Sequence, residues 1–334
     1  MSNNSSPQTP SEPTAPATGS IRRPKTGGLA AGPAAPGVAK VDPILVADDL
    51  TRQFGGLTAV DVAHVEIPRH AITALIGPNG AGKTTMFNLL CGFDKPNSGV
   101  WSFDGRKLSG IPSFKVARLG QVRTFQLTKA LSLLTVLENM KLGATAQRGE
   151  NIFASIIPAI WRRQDAAIEE KAMGLLKRFK LDAKAEDYAA SLSGGQRKLL
   201  EMARALMSDP QLVMLDEPMA GVNPALTESL LDHILDLKEL GMTVLFVEHD
   251  MHMVRHIADW VIVMAEGRIV AEGPPDQVMH DQAVIDAYLG SHQDVDLGVV
   301  TGRVEGELDT AAVELLEEIK EEQEASIHGA EEEK

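Results

Sequence analysis

Short runs of apolar residues alternate with longer segments of helical periodicity through most of the chain. Four apolar runs that have the length of buried strands lie at residues 71–76, 211–215, 243–247 and 260–264. Alternation of such strands with helices is typical of an α/β fold built on a mostly parallel sheet. The pattern therefore predicts one α/β domain over residues 43–290, without an internal repeat.

The two ends of the chain lack this pattern. Residues 1–42 are rich in Pro, Ser, Thr, Gly and Ala and hold few large apolar side chains, so we expect a disordered tail. Residues 291–334 begin as a polar linker and continue with one apolar stripe, which predicts a short helix in an acidic extension. That helix is either solvated or a docking element for a partner. Its stripe consists of Leu308, Ala312, Leu315 and Ile319.

Composition then narrows the class of protein. The net charge of −14 argues against general nucleic-acid binding, although fourteen of the 46 acidic residues lie in the C-terminal extension. The only cysteine, Cys91, excludes an internal disulfide and favours a reducing compartment. No segment approaches the ~18 apolar residues of a membrane span, and no secretory signal is visible. We therefore expect neither a secreted nor a membrane-spanning protein.

The first chemical motif is the sequence GPNGAGKT at residues 77–84, which fits the phosphate-binding P-loop pattern G-x-x-x-x-G-K-S/T. It follows a predicted strand and opens a predicted helix, as that loop requires. Glycines allow backbone N–H groups to turn toward phosphate oxygens, and the start of a helix adds positive potential. Lys83 is expected to reach the β- and γ-phosphates, and the Thr84 hydroxyl to ligate Mg²⁺. The predicted nucleotide contacts are Gly77, Pro78, Asn79, Gly80, Ala81, Gly82, Lys83, Thr84 and Thr85.

The second motif is an apolar run, LVML, that ends in two acids, Asp216 and Glu217. In nucleotidases with a P-loop, an acid at this place holds the magnesium shell, which is the role we predict for Asp216. A carboxylate immediately after it suits a base or a positioner for the attacking water. Glu217 is therefore the predicted catalytic base.

The sequence LSGGQ lies between these two motifs, at residues 192–196, and a helical pattern follows it. In this order the three motifs resemble those of ATP-binding-cassette (ABC) ATPases. The resemblance implies a P-loop NTPase fold with a RecA-like core, an antiparallel β-subdomain and a helical subdomain at about residues 127–195. It also implies ATP and Mg²⁺ as cofactors and a head-to-tail dimer. In that dimer the LSGGQ segment at residues 192–196, here called the signature loop, reaches the nucleotide held by the partner. The residues that make this contact are Ser193, Gly194, Gly195 and Gln196.

Three further positions fit the family. Gln126 resembles the glutamine that touches magnesium and water, which gives Thr84, Gln126 and Asp216 as the implied metal-binding set. His249 resembles the switch histidine that hydrogen-bonds the γ-phosphate. Phe54 matches an aromatic residue that stacks on adenine, with an ordinary core phenylalanine as the alternative. One position departs from the family, because Asn223 replaces a common aspartate in the loop after the catalytic glutamate.

Several segments narrow the resemblance to ATPases of branched-chain amino acid uptake. Such a chain would power uptake through two membrane permease subunits, with a solute-binding protein and a second cassette (a paralogue or the same chain). It would lie peripherally on the cytoplasmic face of the inner membrane. Uptake of urea or short amides and export of lipopolysaccharide stay open as related functions, and a regulatory ABC ATPase without a permease stays open as a different class. The segments are residues 52–56, 123–126, 135–139, 152–161, 220–224 and 284–290.

Overall fold

Two β-sheets and a set of helices make up the parts of the chain that this computed structural model describes, which are residues 29–124, 132–145, 158–222 and 224–290. The strands are β1 (Pro43–Phe54), β2 (Leu57–Pro68), β3 (Ile72–Ile76), β4 (Ser98–Phe103), β5 (Arg106–Lys107), β6 (Gln121–Arg123), β7 (Leu212–Asp216), β8 (Thr243–Val247), β9 (Trp260–Ala265) and β10 (Arg268–Gly273). The α-helices are α1 (Lys83–Leu90), α2 (Ser113–Arg118), α3 (Val136–Leu142), α4 (Pro158–Arg178), α5 (Gly194–Leu206), α6 (Pro224–Glu239), α7 (Met251–Ile257), α8 (Pro275–Val278) and α9 (Gln282–Gly290).

The larger sheet has six strands in the order β10-β9-β3-β8-β7-β6. All neighbouring strands are parallel except β10, which pairs with β9 in the antiparallel direction. Every residue of β3 and β8 is buried, which is expected when helices or a second sheet cover both faces of a parallel sheet. The four strands predicted from apolar runs are thus confirmed, each with its ends within one residue of the prediction.

The two faces of this sheet belong to different hydrophobic cores. In β7, Leu212 and Met214 pack with α1 and the smaller sheet, whereas Val213 and Leu215 pack with α5 and α6. This follows from the two-residue period of a strand, which sends successive side chains to opposite faces. The result is a layer of helices, a parallel sheet and an antiparallel sheet stacked in that order.

The smaller sheet is antiparallel, with the order β2-β1-β4-β5. Its long hairpin β1–β2 runs from the pair Pro43 and Pro68 to the pair Phe54 and Leu57. The hairpin contacts the P-loop, because the carbonyl of Ala59 lies against Gly82. The core, the antiparallel sheet and the helices after β6 match the three parts that the resemblance implies.

Helices α3 and α4 and two 3₁₀ turns lie between β6 and α5. α3 begins with a capping box, in which Thr135 and Glu138 each satisfy the other's backbone N–H. α4 and two 3₁₀ turns, Asp182–Lys184 and Ala189–Ser191, then lead to α5. Within the described residues, none of the helices has both the length and the apolarity to cross a membrane.

Residues 29–42 differ from their prediction as part of a disordered tail. Leu29 and Val38 pack against the core, and the Lys40 ammonium lies 3.1 Å from the Glu272 carboxylate in a buried ion pair. The same ammonium lies 4.5 Å from the centre of the Trp260 ring. Composition alone missed this ordering, because a few specific contacts with distant residues offset the entropy cost that a tail of small and polar residues otherwise cannot meet. Residues 1–28 and the acidic extension at 291–334 lie outside the described residues.

Candidate nucleotide-binding site

Four chemistry-bearing segments follow four neighbouring strands of the parallel sheet. The strands lie in the order β3-β8-β7-β6, and their carboxyl ends share one edge. The P-loop at 77–84 follows β3, His249 follows β8 after one residue, and Asp216 ends β7 with Glu217 next in the chain. β6 leads to the segment that contains Gln126. In α/β proteins, ligands bind in the crevice outside this edge of the sheet.

The P-loop glycines at 77 and 82 are required by the fold of this chain. Gly77 has φ +145° and Gly82 has φ +97°, and both values lie in the region that L side chains rarely adopt. A Cβ on Gly77 would lie 2.0 Å from the carbonyl oxygen of Met264, and one on Gly82 would lie 2.2 Å from that of Ala59. The P-loop therefore packs closely against its own domain at Gly77 and Gly82.

The P-loop ends where α1 begins, at Lys83. Thr84, which is exposed, and Thr85 occupy the first turn, where the positive end of the helix dipole attracts anions. The Lys83 ammonium donates hydrogen bonds to the carbonyl oxygens of Gly77 and Pro78, so the lysine side chain folds over the loop. Lysine, backbone amides and a helix start together form a site for phosphate groups.

Asp216 is paired with an arginine that the sequence did not single out. The Arg123 guanidinium forms an ion pair with the Asp216 carboxylate, and its other terminal nitrogen lies 2.6 Å from the Asn88 side-chain oxygen. Both partners of the ion pair are largely buried.

Burial raises the pKa of the nearby Cys91 thiol to about 12, so this cysteine stays protonated and is a poor nucleophile or metal ligand.

Glu217 has a left-handed backbone, with φ +45°. Such a conformation is uncommon for a residue with a side chain and persists only where surrounding contacts impose it. The Glu217 amide donates to the carbonyl oxygen of Val247 at the end of β8, at 3.1 Å. The turn continues when the Ala220 amide donates to the Glu217 carbonyl at 3.2 Å.

Two charged residues that were not predicted as site residues hold the loop that starts at Glu217. The Lys198 ammonium, from α5, donates to its backbone carbonyls, and the buried Glu248 carboxylate accepts the Met219 amide at 3.0 Å. Burial raises the pKa of Glu248, and the hydrogen bond from Met219 opposes that shift. Both residues are charged and lie beside a recognised motif, but the sequence could not show what each one contacts.

His249 lies at the open edge of the sheet, with its side chain 55% exposed. Its Nδ1 atom is 3.7 Å from the Glu248 carboxylate, and its amide donates to the same carboxylate at 3.4 Å. The helix α7 starts two residues later and is capped by Asp250, which accepts the Met253 amide. The imidazole is therefore available to a ligand at the edge where the P-loop and Glu217 also lie.

The signature residues form an exposed start of α5. Ser193 is the N-cap and shares a capping box with Gln196, with hydrogen bonds of 3.3 Å and 3.1 Å. A Cβ on Gly195 would lie 1.5 Å from a methyl carbon of Leu226, so a side chain there would require the leucine to move. A Cβ on Gly194 would have no neighbour within 4 Å. In the described part of the chain, no hydrogen bond joins these residues to the P-loop.

Phe54 lies at the turn of the β1–β2 hairpin, the same hairpin that contacts the P-loop through Ala59. The ring is 48% exposed, and the Arg52 guanidinium lies 4.4 Å from its centre. This exposure excludes the alternative of an ordinary core phenylalanine. Gln126 and Asn223 lie outside the described residues.

Comparison with known proteins gives a consistent result. A family model described as "ABC transporter" matches residues 60–220, and one described as "Branched-chain amino acid ATP-binding cassette transporter" matches residues 268–294. The chain is 40% identical over 257 residues to a probable branched-chain amino acid transport ATP-binding protein, LivG, of Archaeoglobus fulgidus, a match that covers 77% of this chain and 99% of the relative. It is 40% identical over 251 residues to the high-affinity branched-chain amino acid transport ATP-binding protein BraF of Pseudomonas aeruginosa, covering 74% and 98%.

Solved structures agree with these relatives. A nucleotide-free ATP-binding cassette from an ABC transporter superposes with a TM-score of 0.65 at 35% identity, covering 74% of this chain and 98% of that one. The ADP conformation of an ATP-binding cassette superposes with a TM-score of 0.64 at 34% identity, covering 74% and 99%. The chain therefore covers nearly the full length of these relatives and of these solved structures.

Proposed function

Because the chain belongs to the branched-chain amino acid group of ABC transporter ATPases, we propose that its ATP hydrolysis powers uptake of branched-chain or other hydrophobic amino acids through separate permease subunits. One observation carries the chemical part of this proposal. The P-loop, His249 and the pair Asp216 and Glu217 follow neighbouring parallel strands and share one edge of the sheet.

Each segment has a distinct role in the proposed reaction. The P-loop amides and Lys83 bind the phosphate groups, and the exposed ring of Phe54 stacks on the adenine. Glu217 positions the attacking water and takes its proton, while His249 hydrogen-bonds the γ-phosphate. We also propose that Gln126 contacts this water.

The residues at the end of β7 and the start of α1 fit a magnesium ion. A hydroxyl at Thr84 and a carboxylate at Asp216 are hard oxygen donors of the kind that Mg²⁺ prefers, and Gln126 would add an amide oxygen. The ion would neutralise charge that develops on the phosphate oxygens. Arg123 keeps the Asp216 carboxylate oriented at the end of β7 through their ion pair.

A second cassette completes the site in this proposal. Ser193 and Gly194 are exposed, and a Cβ on Gly194 would meet no atom of its own domain within 4 Å, which supports a contact with another subunit. The start of α5 would then offer backbone amides and the Ser193 hydroxyl to the γ-phosphate bound on the opposite cassette. The partner is either a second copy of this chain or a paralogue, and nucleotide binding favours the closed pair because only that state offers both halves of the site.

In the proposed complex the chain lies peripherally on the cytoplasmic face of the inner membrane, bound to two membrane permease subunits, and a solute-binding protein supplies the cargo. The names of the relatives support this assignment. Within the chain, residues 43–290 form the nucleotide-binding domain, about 127–195 of them form the helical subdomain, and residues 291–334 form an acidic extension.

The experiment that tests this function is purification of the tagged full-length chain from its native membranes in mild detergent. We expect mass spectrometry to identify two permease-like proteins and a second cassette. Reconstituted into vesicles with the solute-binding protein, the complex should take up labelled leucine when ATP is supplied, and the Glu217→Gln complex should not. Recovery without any membrane protein, or uptake of urea in place of leucine, would contradict the proposal.

A further inference from the structure

We propose that Lys198 is a positioning residue for Glu217, and that it links the signature end of α5 to the loop of residues 217–220, here called the carboxylate loop. This inference rests on the proposed role of Glu217 and adds a residue that neither contacts nucleotide nor belongs to a recognised motif. Lys198 lies five positions after Ser193 on the same helix.

The first argument is the number of hydrogen bonds. The Lys198 ammonium donates to the backbone carbonyls of Glu217 at 3.3 Å, Pro218 at 2.9 Å and Ala220. An ammonium group has three hydrogens to donate, and these three carbonyl groups can accept one hydrogen bond each. Carbonyl oxygens that converge in this way are otherwise left facing each other, and a cation between them offsets their repulsion.

The second argument is the environment of the ammonium. Burial lowers the pKa of Lys198, because removing the ammonium from water disfavours its charged form. Three carboxylates close to the ammonium oppose this shift, and they are Glu248, Glu201 and Glu217. A lysine that only covered apolar surface would extend its ammonium into solvent. The half-buried ammonium is therefore tied to the carboxylate loop by its hydrogen bonds.

The third argument is that the loop is held from a second direction. The Glu248 carboxylate accepts the Met219 amide at 3.0 Å, so groups of opposite charge hold the backbone on either side of that residue. Glu217 needs such support, because its φ of +45° persists only where neighbours impose it. A shift of about 1 Å in a catalytic group can reduce turnover about a hundredfold.

These contacts connect the signature loop to the carboxylate loop, which are separate motifs in the sequence. A helix rises about 1.5 Å per residue, so Ser193 and Lys198 lie about 7.5 Å apart along one rigid element. Displacement at the exposed N-terminal end of α5 therefore moves the ammonium that holds the carboxylate loop. The structure assigns to Lys198 the task of making the position of Glu217 depend on what the signature residues contact.

The test compares full-length Lys198→Met, Lys198→Arg and Lys198→Gln, each purified in the membrane complex, in steady-state ATP hydrolysis at saturating Mg²⁺. We expect Lys198→Met to lower kcat about ten- to a hundredfold and to leave the KM for ATP within about twofold, because the phosphate-binding loop is untouched. Arginine, which keeps a charged donor, should restore most of kcat, and glutamine should give an intermediate value.

The matched control is Lys171→Met. The Lys171 ammonium also donates to a backbone carbonyl, that of Met207 at 2.9 Å, and pairs with Asp209, but it contacts no residue of the proposed site. It should lose thermal stability comparable to that of Lys198→Met and keep its kcat. If Lys198→Met does not fold, the Lys198→Gln and Lys198→Arg variants carry the same comparison.

A kcat for Lys198→Met within about twofold of wild type would overturn the inference, and so would a loss of kcat of the same size in Lys171→Met. Failure of the proposed function itself is separable. It would appear as no hydrolysis by the wild-type membrane complex, or as unchanged hydrolysis by the Glu217→Gln complex, whatever Lys198 does.

Discussion

The P-loop and the signature loop both have glycines at the start of a helix. Those glycines differ in how closely the rest of their own domain surrounds them. Gly77 and Gly82 have positive φ and would clash with backbone carbonyls if they carried a Cβ. Gly194 has open space around it. The P-loop is therefore shaped by its own domain, whereas nothing in the described part of the chain requires a glycine at 194.

The hydrogen bonds of the two loops differ in the same way. The P-loop is anchored to its own domain, since the Gly267 amide donates to the Ala81 carbonyl at 3.0 Å and Lys83 folds back over the loop. Ser193 and Gln196 bond to each other at an exposed helix start. The P-loop is therefore held by its own domain, whereas the start of α5 is exposed, as the proposed contact with a second cassette requires.

The largest effect should come from the strand edge beside the P-loop. Glu217→Gln removes the proposed base and keeps its size, so we expect turnover to fall by about 10²- to 10⁴-fold while ATP still binds. Steady-state hydrolysis and ATP binding by the purified membrane complex measure the two quantities. Glu239→Gln, at an exposed position on α6, is the control and should behave as wild type. Rapid hydrolysis by Glu217→Gln would show that the chemistry lies elsewhere.

An alanine at each glycine tests the comparison itself. We expect Gly82→Ala to lower the free energy of unfolding by roughly 3 kcal/mol, because it adds a clash with the Ala59 carbonyl to an unfavourable φ. Gly194→Ala should leave the free energy of unfolding within about 0.5 kcal/mol of wild type, since its Cβ meets no atom within 4 Å. Yet it should reduce ATP turnover in the assembled complex. Equal loss of stability in denaturant-induced unfolding would remove the distinction between the two loops.

A smaller effect is expected from the capping residue of the signature loop. Ser193→Ala removes the side-chain cap of α5 and should lower the free energy of unfolding by about 1 kcal/mol. Ser193→Asp keeps a capping oxygen, so it should retain that stability but lose turnover, because a carboxylate would repel the γ-phosphate of the opposite nucleotide. Turnover that simply follows stability across the two variants would argue that Ser193 has only a structural role.

Much of the site was predictable from the sequence, because each motif directly follows a recognisable strand. The P-loop, Asp216, Glu217 and His249 all follow strands that appear as short apolar runs, so their placement at one sheet edge follows from parallel connectivity. Contacts between distant residues were not predictable. Lys40 pairs with Glu272, which lies 232 positions away, and this pairing is one reason that residues 29–42 pack on the domain instead of extending as a tail.

The residues that support the site were missed for the same reason. Arg123, Lys198 and Glu248 are each close in sequence to a recognised motif, but their partners are set by how strands and helices pack. The position of a charged residue beside a motif does not identify its partner. It does not indicate that Lys198 holds the carbonyls after Glu217 or that Glu248 holds the Met219 amide.

The central claim, that the signature loop is completed by another subunit, is tested most directly by thiol reactivity at Ser191→Cys in the Glu217→Gln membrane complex. Ser191 is exposed two residues before Ser193, and the native Cys91 is buried with its pKa raised to about 12, so it should not react. We expect Mg²⁺ and ATP to slow alkylation of the introduced cysteine at least about tenfold, corresponding to about 1.4 kcal/mol of protection, and to leave an exposed control, Ser109→Cys, unchanged. Equal alkylation rates with and without ATP, in a complex shown to bind it, would contradict the account.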